Sequence, residues 1–131
     1  MSAAYLADTS VFLAAEHRRP LGAPPEGLGR ISVATLTELL VGVHTATGAP
    51  KRLRELTLER SRSFVALPFD EYVAERLAGL LAAARAAGRR AGAMDAIIAA
   101  TALTHDLAVW TQDDDFDSIA ELVPDLRVHR G

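Results

Sequence analysis

Five acidic side chains, Asp8, Glu38, Asp95, Asp113 and Asp115, stand in settings where a carboxylate can do chemistry. Asp8 closes the apolar run Tyr5-Leu6-Ala7 and is followed by two hydroxyl residues, Thr9 and Ser10. Glu38 lies in ATLTELLVG, Asp95 in GAMDAIIAATAL, and Asp113 and Asp115 in VWTQDDDF. Four or five carboxylates brought together repel and raise one another's pKa unless cations neutralise them. An oxygen-only donor set with no cysteine suits magnesium or manganese, whereas zinc would want histidine or thiolate. His17, His44, His105 and His129 have no ligand-like spacing. Magnesium usually keeps several waters and takes further ligands from a phosphate, which points to phosphodiester hydrolysis. Two ions roughly 3.5–4 Å apart can lower the pKa of the attacking water and stabilise the leaving oxygen. No nucleophilic side chain is then needed, in keeping with the absence of cysteine and of a Gly-x-Ser-x-Gly elbow.

Each acid also has a plainer reading. Asp8 could only cap the helix that follows it, and Asp95 could only favour the dipole of its own helix. Glu38, flanked by leucines in mid-helix, could face solvent. Within the QDDDFD run, Asp114 and Asp117 are assigned to solvent, because charge runs usually face water. Trp110 is read as sheet packing, not as a platform for bases. The case for a site rests on convergence of the set.

The elements that must bring these acids together follow from periodicity and turn chemistry. Tyr5 to Ala7 is expected as strand one, with Thr9 or Ser10 opening a helix through about Glu16. Three prolines and three glycines make Arg19 to Gly29 a loop. Arg30-Ile31-Ser32 is a short strand, and Leu36, Leu39, Leu40 and Val43 recur at helical spacing across a helix from Val33 to about Val43. Gly48-Ala49-Pro50 opens another, with Leu53, Leu56 and Leu58 facing inward. Phe64 to Leu67 is a strand closed by Pro68. Asp70 caps a helix through about Ala87 that Gly88 stops, with an inner stripe of Val73, Leu77, Leu80 and Leu81. A helix from Met94 to about His105, a strand from Leu107 to Trp110, an exit loop from Thr111 to Phe116 and an edge strand over Leu126-Arg127-Val128 complete the series. Strands alternating with helices imply a mostly parallel sheet covered on both faces, a three-layer α/β/α arrangement. Parallel strands would carry Asp8 and Asp113 to the same edge, where open α/β sheets bind ligands.

At 131 residues and 50% hydrophobic, the chain is expected to be one domain, 1–131, with a sizeable core and neither repeats nor linkers. The apolar runs are too short to span a bilayer and Met1-Ser2-Ala3 lacks the basic start of a signal peptide, so a cytoplasmic location with no membrane partner is expected. A net charge of −3 argues against gripping nucleic acid by overall charge. Arginine nevertheless supplies nearly all the positive charge, Lys51 being the only lysine. Arg89 and Arg90, just before the Asp95 helix, are expected at the rim of the pocket, where guanidinium forks suit phosphates.

The order DTSV, TELLVG, AMDAIIAATAL, TQDDDF resembles the PIN-domain ribonucleases, in particular the VapC toxins of bacterial toxin–antitoxin pairs, over essentially the whole chain from Leu6 to Phe116 and on to the final strand. The resemblance implies a PIN-like α/β/α fold, magnesium or manganese, endonucleolytic cleavage of structured RNA, homodimerisation and a VapB-type antitoxin through which alone operator DNA would be met. It implies that Asp8, Glu38, Asp95 and Asp113 are the metal-binding and catalytic acids, with Asp115 as an additional acid, and that Thr9, Ser10 and Thr111 are hydroxyls orienting carboxylates or waters. TQDDDF is richer in acid than the family's usual pattern, which leaves Asp113 and Asp115 as rival main ligands. Sequence-specific RNA recognition favours unpaired loops, so tRNA or rRNA loops are the expected substrate class. Three other readings compete. A receiver-like phosphoacceptor would need a lysine near the acids, and Lys51 falls in a basic helix elsewhere. A non-catalytic PIN-fold module would bind an antitoxin or operator complex only, and a housekeeping PIN nuclease of RNA maturation would lack the antitoxin.

Overall fold

The computed structural model describes residues 3–131, and Met1 and Ser2, on which the reading of the N-terminal start partly rests, lie outside the described residues. Five strands form one sheet: β1 (Ala4–Ala7), β2 (Leu28–Ser32), β3 (Val65–Leu67), β4 (Ala108–Thr111) and β5 (Val128–Arg130). Their order is β3-β2-β1-β4-β5 and all four pairings are parallel. The chain therefore steps outward from β1 through β2 to β3, then returns to the other side of β1 for β4 and β5. That reversal lies between β1 and β4, and it opens a crevice beyond their carboxyl ends.

Six helices cover the sheet: α1 (Thr9–Glu16), α2 (Val33–Thr45), α3 (Gly48–Ser61), α4 (Glu71–Ala86), α5 (Ala93–His105) and α6 (Asp115–Leu122). Alternation along the strands divides the core in two. Leu6 of β1 and Val109 of β4 point to one face, where Leu80, Ile98 and Phe116 from α4, α5 and α6 cover them. Tyr5, Ala7 and Trp110 point to the other, against Val11 and Phe12 of α1 and Leu39 of α2. Trp110 is sheet packing, edge-on to Tyr5 at 5.8 Å between ring centres. Alanine at positions 96, 99, 100 and 102 of α5, all buried, lets that helix approach its neighbours closely.

The helix termini follow their sequence signals. Asp70 accepts from the backbone N–H groups of Tyr72 and Val73. At the other end of α4, Gly88 adopts φ +68°. The N–H of Arg89 then reaches the Ala84 carbonyl at 2.8 Å and that of Gly88 reaches Arg85 at 3.0 Å, the paired closure of a Schellman turn.

Several expectations need correction. The run Thr111 to Phe116 is not all exit loop, because α6 begins at Asp115 and continues to Leu122, where no helix was expected. Phe116, Ile119, Ala120 and Val123 at helical spacing pack into the core and hold it there. The edge strand lies at Val128–Arg130, since Leu126 is spent on the core before pairing begins. In α3, Leu53 and Leu56 are each 40% exposed. Leu58 does face inward, but beside it stand Thr57 and Ser61, because Thr57 bonds the buried carboxylate of Glu16 at 2.8 Å. In α4 the inner stripe ends on Ala84, and Leu81 is exposed. The loop before β2 is shorter than expected, with Leu28 and Gly29 already paired to β1.

Candidate active site

Asp8 is the last residue before α1, at the tip of the central strand β1, and its backbone N–H is bonded to the Trp110 carbonyl of β4. It is 2% exposed. Its cap role and its place in the crevice coexist: Oδ2 accepts from the Ser10 N–H at 3.3 Å and from the Thr111 hydroxyl at 2.9 Å. Both bonds fall on one oxygen, and among the described residues Oδ1 accepts none. Ser10 Oγ in turn lies 3.2 Å from Thr111 Oγ1 and accepts from the Gln112 N–H, while the Asp113 N–H donates to Thr111 Oγ1. Buried hydroxyls from α1 and β4 thus stitch the two strand tips together, and residue 113 emerges from that turn.

Glu38 is half-buried on α2, two turns after the Ser32 cap. Its Oε1 accepts from the Thr9 hydroxyl at 2.6 Å, short enough for a charge-assisted bond, while Oε2 accepts none among the described residues. Asp95 is the third residue of α5, where the helix dipole favours an anion. Burial and the surrounding charges outweigh that help. Its pKa is pushed up to about 7 by burial first, then by the charge of Asp8, the charge and close carboxyl of Asp115, and the charge of Glu38. Asp113 is raised as well, by partial burial of its carboxyl, then by Asp8 and Asp115; the cation of Arg19 opposes the shift.

The five expected acids therefore gather at one end of the sheet. Asp115 lines a cleft with Asp95, while Asp113 sits just past the β4 tip, within reach of the charges of Asp8, Asp115 and Arg19, so the two rivals both belong to the site. Asp114 and Asp117 lie outside it, on the surface, both paired with Arg130. Among the described residues no three acids or histidines close into a tight ligand cage as they stand. The donor set nonetheless fits a hard divalent cation: it is all oxygen, it carries mutual repulsion that a cation would relieve, and Asp8 and Glu38 each keep one oxygen without a partner.

A cleft of about 260 Å³ opens beside Asp95 and Asp115 and is bordered by Arg89, Arg90 and Ser118. Arg89 is held by Glu121 at 2.9 Å and by the Ser118 carbonyl. Arg90 makes no ion pair among the described residues. Two residues of this region were not singled out from sequence. Arg19 stands in the short basic run His17-Arg18-Arg19, and Thr35, which bonds Thr9, had only its place one turn before Glu38.

The sequence profile of the PIN domain matches residues 5–122. The chain belongs to the PIN-domain family. Among its PIN-domain relatives, Ribonuclease VapC4 of Mycobacterium tuberculosis is 40% identical over 127 residues, covering 94% of this chain and 93% of that protein. Ribonuclease VapC5 of the same organism is 40% identical over 120 residues, covering 89% and 88%. Among solved structures, a member of the VapBC family of toxin–antitoxin systems, VapBC-5 from Mycobacterium tuberculosis, superposes with a TM-score of 0.82 at 34% identity, over 98% of this chain and 99% of that one. FitAcB from Neisseria gonorrhoeae gives 0.70 at 29% identity, over 95% of each. This PIN-domain chain has the parallel five-stranded α/β/α architecture that its sequence implies.

Proposed function

We propose that residues 1–131 act as a single PIN-like domain, a metal-dependent endoribonuclease that is the toxin of a type II toxin–antitoxin pair. The observation that carries this reading is the gathering of Asp8, Glu38, Asp95, Asp113 and Asp115 at the β1/β4 switch, where burial first and then the neighbouring carboxylates push the Asp95 pKa up to about 7. A protein that keeps such repulsion needs a cation to use it. Bound among these acids, magnesium or manganese would supply positive charge for the scissile phosphate and acidify the attacking water. The chain's own residues do the positioning. Thr111 and Ser10 fix Asp8, Thr9 fixes Glu38, and Asp95 and Asp115 lie side by side on the cleft, where they would help hold the cation. Arg90, with Arg89 and Arg19, would hold the RNA backbone against an otherwise repulsive acidic surface. Unpaired loops of tRNA or rRNA are the proposed substrates.

The VapBC-5 structure is named as a member of a family of toxin–antitoxin systems, which supports a VapB-type antitoxin as partner, with operator DNA reached only through it. An open cleft of about 380 Å³ between α1, α2 and α3, edged by exposed Leu13 and Val41, offers an antitoxin segment an apolar seat next to Glu38. Among the described residues no helix is long and apolar enough to cross a membrane; a cytoplasmic homodimer is the proposed state. Incubating the purified protein with total RNA, with and without magnesium or manganese, tests the reading: discrete metal-dependent fragments support it, and intact RNA with folded protein counts against it.

A further inference from the structure

Helical threonines usually return their hydroxyl to the carbonyl four residues back, and those of this chain do so at four positions. Thr37 bonds Val33, Thr45 bonds Val41, Thr101 bonds Ile97 and Thr104 bonds Ala100. Among the described residues the other helical threonines are Thr57, whose shorter contact, 2.8 Å, is to the Glu16 carboxylate, Thr9, which opens α1, and Thr35, in the first turn of α2. The hydroxyl oxygens of Thr9 and Thr35 meet instead at 3.0 Å, although the residues are 26 apart in sequence. Thr35 is wholly buried, and Thr9 is 8% exposed.

The direction of this contact follows from proton counting. Thr9 Oγ1 is also 2.6 Å from Glu38 Oε1, and a hydroxyl has one proton to give. The carboxylate is acceptor-only and forms the stronger, charge-assisted bond, so Thr9 donates to Glu38. Thr35 must then donate to Thr9. The hydroxyls form a one-way relay, Thr35 to Thr9 to Glu38, in which each bond polarises the next. Thr35 and Glu38 are three apart and therefore share a face of α2, with Thr9 inserted between them from the residue after Asp8.

We infer that Thr35 is a positioning residue for the metal-binding acids: by donating to Thr9 it commits the Thr9 proton to Glu38 and fixes which Glu38 oxygen is left for a cation. This rests on the metal-dependent reading proposed above. Without the Thr35 donor, Thr9 Oγ1 loses the partner that fixes its rotor, and the Glu38 carboxylate loses its fixed orientation. Outer-shell partners of this kind typically change metal affinity about 10–100-fold when removed.

The test is Mn²⁺ binding by calorimetry on the intact protein, in wild type, Thr35→Val and Thr35→Ser, with thermal unfolding of the metal-free proteins alongside. Thr35→Val keeps the shape and removes the donor; Thr35→Ser keeps the donor. The expected result is Mn²⁺ affinity about 10–100-fold weaker in Thr35→Val and within about twofold of wild type in Thr35→Ser. Unchanged Mn²⁺ affinity in folded Thr35→Val overturns the inference, as does equal weakening in both variants, which would assign the effect to shape. If Thr35→Val does not fold, Thr35→Cys takes its place as the weak donor, judged against Thr35→Ser by the same criterion. Wild-type protein that binds no Mn²⁺ would overturn the metal-dependent reading itself, an outcome distinguishable from any difference between the variants.

Discussion

Thr111, at the tip of β4, donates a 2.9 Å hydrogen bond to the Asp8 carboxylate at the tip of β1, joining residues 103 positions apart. The same hydroxyl oxygen accepts from the Asp113 N–H and touches Ser10 Oγ. One buried threonine thus holds the capping acid of α1, a serine of its first turn and the turn that presents a second acid.

Thr111→Val should therefore cost stability beyond its small change in shape. It leaves the Asp113 N–H and one Asp8 bond without their partner, and a polar group deprived of its partner inside a protein costs about 1–3 kcal/mol. Urea unfolding of the metal-free variant checks this, and a loss below about 0.5 kcal/mol, on the scale of an ordinary surface change, would mean that water replaces the hydroxyl freely.

The raised Asp95 pKa has a definite sign in stability. Between the ordinary carboxyl value of 3.8 and the folded value of about 7, the folded protein holds a proton that the unfolded chain has lost. The stabilisation from that proton is complete below about pH 4 and fades as pH rises through 7. Metal-free wild type should thus lose thermal stability relative to Asp95→Asn over this window, and magnesium should raise the melting temperature more at pH 8 than at pH 5. A wild-type minus Asp95→Asn difference that is flat with pH would contradict the shift.

How much of this was legible in the residues varied with how local the signal was. Asp8 after an apolar run, Asp95 in a first turn and Gly88 as a helix stop are short-range patterns, and each stands where its pattern puts it. Helix α6 was hidden because its acidic opening, Asp113 to Asp117, reads as a solvated run, while Phe116, Ile119, Ala120 and Val123 are too few to outweigh it over eight residues. Leu53 and Leu56 misled for the opposite reason: an apolar stripe suggested a core face, yet Glu16, buried at the end of α1, drew Thr57 inward. The meeting of Thr9 and Thr35 depends on how α1 crosses α2, which no local pattern encodes.

Phe116, wholly buried next to Asp115, ties α6 to the core. Phe116→Ala should destabilise the protein by about 3–5 kcal/mol, the usual cost of an aromatic core truncation. Denaturant unfolding gives the number, and a cost under about 1 kcal/mol would show that α6 is not anchored through this ring.

Arg90 borders the cleft beside Asp95 without an ion-pair partner among the described residues, whereas Arg89 is engaged by Glu121. In an Asp8→Asn background that prevents cleavage, Arg90→Ala should weaken binding of bulk tRNA and lower the slope of log affinity against log salt by about 0.7, one phosphate contact on single-stranded RNA. Anisotropy titrations at several salt concentrations would reveal an unchanged slope if Arg90 is only a solvated turn residue.

The most direct test is cleavage of total RNA by the purified protein, free of antitoxin, with magnesium or manganese, with EDTA, and with Asp8→Asn. Discrete fragments are expected with either metal and none with EDTA, and Asp8→Asn should lower the rate by at least about 10²-fold. That variant should also melt no lower than wild type, since it removes a charge from a repulsive cluster. RNA left intact by folded wild-type protein, or cleaved at an undiminished rate by Asp8→Asn, would contradict the assignment of this acidic crevice as a nuclease centre.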